Sequence, residues 1–242
     1  MTTTRIALFM LALAAAPFAR AGSFEVNPVR VELSPAVRSA ALTVRNSGSD
    51  PVVIQVSVQA WSQENGSDVL APTSEVLVSP PIATLVPGRD QIVRVGLRRA
   101  PDAQREISYR IFLQEVPPPP KPGFQGLQVA LRISLPIFVQ PREGPAKATL
   151  VWGAELRNDG SLRLKLENRG TGHIQIAGVD LSLPGASAPV ASQSAVGYLL
   201  PGQSRQWDLP LKNANVRKTD RLHIKASTDA GVVETDIDLA GT

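Results

Sequence analysis

From Leu127 to Val139 every odd position is aliphatic: Leu127, Val129, Leu131, Ile133, Leu135, Ile137 and Val139. The even positions are Gln128, Ala130, Arg132, Ser134, Pro136 and Phe138, small or polar except the last. A period of two over that length is the pattern of a strand with one apolar face, and no helix can present it as a stripe. Shorter segments of the same kind recur at Phe24–Leu33, Ala41–Arg45, Val52–Trp61, Gln91–Leu97 and Tyr109–Val116. Turn residues punctuate them at Asn46-Ser47-Gly48, Asn65-Gly66, Pro80-Pro81 and Pro87-Gly88. With 21 Pro and 18 Gly in 242 residues, long helices would be broken every few turns. At 43% hydrophobic and 19% charged residues, the chain has enough apolar surface to fold. The expectation is an all-β protein.

Two sandwiches fit the spacing. About seven strands over roughly 120 residues match an immunoglobulin-like domain at 22–141. Gln140–Lys147 then interrupts the pattern with Pro141, Gly144 and Pro145, and reads as a hinge. A second strand series follows at 148–156, 161–167, 173–183, 195–200, 205–211, 221–226 and 232–239, with Asn158-Asp159-Gly160 as a hairpin turn. It makes a shorter sandwich at 142–242. Residues 1–21 read as a secretory leader: Arg5, the apolar run Ile6–Ala16, and the small-x-small site Ala19-Arg20-Ala21. The run is too short to span a bilayer. Cleavage after Ala21 would leave 23 basic against 21 acidic residues, too even a balance for a polyanion partner.

Reactive chemistry is sparse. Zero Cys excludes disulfides and thiolate metal sites, and His173 and His223 are the only histidines. No phosphate loop, HExxH or GxSxG is present. No enzyme, cofactor or metal is expected. Both histidines fall in alternating segments and read as surface or half-buried strand residues. Pro117–Pro120 with Pro122 reads as a stiff loop between strands, with a polyproline-II recognition segment as the alternative.

An ordered set of short motifs supplies the function. Asn27-Pro28-Val29-Arg30-Val31 is followed by Gln59-Ala60-Trp61, Pro80-Pro81, Leu85-Val86-Pro87-Gly88 and Val93-Arg94-Val95. Tyr109-Arg110 then leads into Leu113-Gln114-Glu115-Val116-Pro117, and Leu127–Pro141 closes the series. Leu200-Pro201-Gly202 and Asp229-Ala230-Gly231 extend it less sharply. In this order the motifs resemble the PapD-like periplasmic chaperones of the chaperone–usher pilus pathway. SYRIFLQEVP with LRISLPIFV looks most like their archaic, alternative branch.

The resemblance implies two immunoglobulin-like domains in a boomerang with a cleft between them. Its members act without ATP, lending an edge strand to pilus subunits that lack one and delivering them to an outer-membrane usher. It implies that Leu127, Val129, Leu131 and Ile133 face outward into a subunit groove, with Ala130 and Phe138 packed inward. It also implies a pair of basic residues that grip the subunit's C-terminal carboxylate. Arg30 matches the first. The second, a lysine in the family, aligns with Pro136, which leaves Arg110 and Arg132 as candidates for that charge, each with a solvated strand arginine as the alternative. Glu106 and Asp229 match the acids of an interdomain ion network whose basic member aligns with Gln140, and Arg142 is the available substitute. An uncovered aliphatic row would be hidden in the unloaded protein either by self-association or by disorder near Pro117–Gly126. The alternative reading is a two-domain adhesin or carbohydrate-binding module, which the 5% aromatic content disfavours.

Overall fold

A computed structural model of the chain describes residues 24–119, 123, 127–212, 216, 217 and 219–240. The leader expected at 1–21 and its cleavage site lie outside the described residues, as do Pro120 and Pro122.

The first half contains β1 (Phe24–Asn27), β2 (Val31–Leu33), β3 (Ser39–Asn46), β4 (Val52–Glu64), β5 (Ser67–Pro72), β6 (Val76–Ser79), β7 (Ile82–Leu85), β8 (Asp90–Leu97), β9 (Ile107–Val116) and β10 (Arg132–Val139). One sheet runs β1-β3-β8-β6, the other β2-β10-β9-β4-β5, with β7 also paired to β4. Alternate residues fill the space between them: Leu42 and Val44 of β3, Val93 and Val95 of β8, Tyr109, Ile111 and Leu113 of β9. Each buried aliphatic stabilises by roughly 1.5–3 kcal/mol.

The second half contains β11 (Leu150–Leu156), β12 (Leu162–Asn168), β13 (Ile174–Ser182), β14 (Ala191–Leu199), β15 (Ser204–Leu209), β16 (Arg221–Thr228) and β17 (Gly231–Ala240). The order is β14-β13-β16-β17-β11-β12-β15, with β11 and β17 joined by a short parallel pairing. Leu162, Leu164 and Leu166 of β12 share a second core with Ile176, Leu181, Leu222 and Ile224. The hairpin expected at Asn158-Asp159-Gly160 joins β11 to β12.

The sequence reading is corrected in one element. Phe24–Leu33 is not one strand. β1 pairs with β3 in one sheet and β2 pairs with β10 in the other. The chain changes layers at Pro28, which has no N–H to continue either ladder. Segment 140–147 is hydrogen-bonded on both sides: Arg142 N–H donates to Asp102 O, and Thr171 N–H to Lys147 O. Two buried asparagines end β3 and β12. Asn46 donates to the carbonyls of Asp50 and Leu85, and Asn168 to those of Gly172 and Leu199. Each ties loose backbone where its strand stops pairing.

Candidate functional site

The long alternating segment is a strand only in its second half. β10 begins at Arg132, and Leu127–Leu131 lie outside any ladder. The cause sits on the neighbouring strand. Arg132 pairs with Gln114 and Glu115 N–H donates to Leu131 O, but β9 ends at Val116 and prolines follow. A proline cannot donate to a ladder, so residues before Leu131 have no partner to zip against.

The odd row is accordingly split, which corrects the expectation that Leu127, Val129, Leu131 and Ile133 all face outward. Leu135, Ile137 and Val139 are buried in the first core, and Leu131 and Ile133 are half-buried at its rim. Leu127 is 88% and Val129 58% exposed. Ala130 is exposed, not packed inward. Phe138 is fully buried, but outside both sandwich cores.

Beside the row runs an unpaired rim. β2 covers β10 only at Ile137, Phe138 and Val139. Leu131 O accepts from β9, while Gln140 N–H donates to Leu33 O on the opposite side. In an antiparallel pair these directions alternate. The backbone groups of Arg132 and Ser134 therefore point away from β9, where β2 does not reach. The nitrogen of Pro136 points the same way. A proline there breaks no bond to β9, which is why this strand tolerates it.

Three arginines were singled out. Arg110 stands directly opposite Pro136 across β9 and β10, so both point to one face. Its Cζ lies 3.8 Å from the Trp61 ring centroid and 5.5 Å from that of Tyr198, with Asp68 at 3.9 Å. Burial lowers its pKa below the usual guanidinium range, an effect Asp68 opposes. Arg30 precedes β2, whose parallel register places Val31 beside Ile137. Extended by one residue, that register brings Arg30 to Pro136 from the other side. Arg132 lies four residues from Pro136, about 13 Å along the strand. Its Cζ sits 4.3 Å from the Phe112 ring centroid.

Arg30 already has partners. Its Nη1 donates to Asp229 Oδ2 at 2.8 Å, and its Nε is 3.4 Å from Glu32. The hydrogen bond to Asp229 raises its pKa. Tyr198, from the second half, feels both Arg30 and Arg110. Burial raises its pKa and the two cations oppose the rise.

The floor of this cleft is aromatic. Trp61, Phe138 and Leu200 form a separate buried cluster with Tyr198 against it. His173 stacks on Phe138 at 3.4 Å and 7°. Its Nδ1 is 2.7 Å from Glu106 Oε1, its backbone N–H donates to the same oxygen, and its Nε2 is 4.0 Å from Asp229. Gln140 donates to the other Glu106 oxygen. Glu106 of the first half thus meets His173 of the second, and Asp229 of the second half meets Arg30 of the first. Arg142 is exposed and makes none of these contacts.

His173 is half-buried, as expected, with its side chain 11% exposed, but nothing in the sequence announces its contacts with Glu106 and Phe138. Sequence reading missed Gln63, which donates to Tyr198 O and accepts from Leu200 N–H. Among the described residues, no group of His, Asp and Glu is arranged to hold a metal.

Residues 23–145 match the family model described as pili and flagellar-assembly chaperone, PapD N-terminal domain. The chain belongs to this family. A curated relative, the chaperone protein FimB/FhaD of Bordetella pertussis, is 29% identical over 136 residues. That match covers 52% of this chain and about half, 54%, of the relative. Among solved structures, the complex of chaperone CsuC with tip subunit CsuE, from archaic chaperone–usher pili of Acinetobacter baumannii, gives a TM-score of 0.66 at 19% identity. It covers 91% of this chain and 99% of that one. The SafA pilin complex with the SafB chaperone of Salmonella enterica gives 0.64 at 20% identity, covering 91% and 98%. These two establish a shared fold: two immunoglobulin-like β-sandwiches.

Proposed function

We propose that this chain is a periplasmic, ATP-independent pilus-assembly chaperone that completes a fibre subunit by lending it β10, and then hands the subunit to an outer-membrane usher. The carrying observation is the open rim at Arg132–Ser134, continued by exposed Leu127 and Val129. A subunit strand seated there would gain ladder hydrogen bonds and cover the aliphatic row. Uncovered, the same rim is an association hazard, so the unloaded protein self-associates through it. Leu127, Val129, Leu131 and Ile133 remain the donor residues, the first two exposed and the second two lining the rim.

The subunit's C-terminal carboxylate is gripped between Arg30 and Arg110, which approach Pro136 from opposite sides. Arg110 supplies the charge that Pro136 lacks, and Arg132 is set apart over Phe112. A charge-assisted bond of this kind contributes roughly 1.5–3 kcal/mol and fixes pairing register. For the sugar-binding alternative, Trp61 is not a stacking platform, since it is buried beneath Arg110. Co-expression with a pilin-like subunit encoded beside it tests the proposal. A soluble one-to-one complex is expected, and a subunit that stays insoluble or degraded rejects it.

A further inference from the structure

The guanidinium assigned to the subunit is already occupied. Asp229, on the turn between β16 and β17, reaches across from the second half and places Oδ2 2.8 Å from Arg30 Nη1. We propose that Asp229 is an internal competitor for the carboxylate anchor, holding Arg30 in the empty chaperone and yielding it when a chain-terminal carboxylate arrives. This rests on Arg30 being the anchor.

Three features support an exchange. Asp229 presents the same chemical group as a chain terminus, so each satisfies Arg30 equally well. The pair is only partly shielded, with the Arg30 side chain 35% exposed, so an incoming carboxylate has access. Asp229 is also provided for after release. Its Oδ1 already accepts from Gln175 N–H at 2.9 Å. The displaced carboxylate therefore keeps a polar partner and is not stranded. Gln140 donates to Glu106, and the guanidinium that Asp229 meets is that of Arg30. Loading and the contact between the halves are thereby coupled, because one guanidinium serves both.

The test uses a synthetic alternating peptide, N-acetyl-Thr-Val-Thr-Val-Thr, as free acid and as amide. The full mature chain is titrated to millimolar peptide and followed by NMR at the Arg30 side chain and the Gln175 amide. The free acid alone should shift Arg30, and Gln175 should move with it as Asp229 lets go. D229N, which keeps an oxygen for Gln175, should bind the free acid about fivefold more tightly and the amide no differently. D229S provides the same comparison should D229N fold poorly. Equal response of Arg30 to acid and amide, or none to either, overturns the anchor assignment itself. An acid-specific response with unchanged affinity in both variants, or with Gln175 unmoved, leaves the anchor standing and overturns the competition.

Discussion

Replacing Leu127 and Val129 together by Asp separates binding from folding. Both side chains already face water in the free protein, so the double variant should melt within about 0.5 kcal/mol of the parent. Full burial of such a side chain is worth roughly 1.5–3 kcal/mol. Leu127 retains 88% of its surface to bury and Val129 58%, so the two together should contribute about 2–4 kcal/mol to a complex. At 1.4 kcal/mol per tenfold, affinity for a pilin-like subunit should fall about 30- to 700-fold, before any cost of covering two carboxylates. Titration calorimetry with the purified subunit measures the loss, and a urea melt of the free variant checks the fold. A folded variant binding within threefold of the parent would refute the reasoning. Leu131 is a poorer probe, since it leans on the first core and its replacement would mix the two effects.

Three further outcomes follow from the packing. Phe138→Ala removes a fully buried ring lying between the halves, and should cost about 3–5 kcal/mol and split the urea transition in two; one transition with little change would contradict this. Asn168→Ala leaves the Thr149 and Gly170 N–H groups without their acceptor, along with the carbonyls its amide served, and should cost about 2–3 kcal/mol in the same assay. Burial, reinforced by the hydrogen bond to Glu75, holds the Tyr109 hydroxyl above its ordinary pKa. The folded state therefore keeps that proton more tightly than the unfolded chain. Stability is intact below about pH 10 and declines as pH rises further. Urea midpoints from pH 9 upward should decline less steeply in Tyr109→Phe, and an unchanged slope would refute the assignment.

The all-β architecture was legible because alternation reports directly on which face of a strand is buried. The length of β10 was not. Its own residues alternate from Leu127, but pairing is a property of two strands, and the prolines after Val116 end the second. Arg30 could be placed from its motif, yet nothing local announces that Asp229, 199 residues away, would hold it. His173 and Gln63 escaped for the same reason. A lone histidine next to Gly172 carries no signal until folding sets Glu106 beneath it. Trp61 stands out in its motif, but it belongs to the boundary between the halves, a layer with no periodicity of its own.

Amide hydrogen exchange at Arg132 and Ser134 tests strand lending most directly. Their N–H groups face the open side of β10, so both should exchange rapidly in the free chaperone. In a one-to-one complex with a pilin-like subunit, both should slow by about 100-fold or more. Unchanged exchange at these two amides in a formed complex would mean the subunit binds elsewhere.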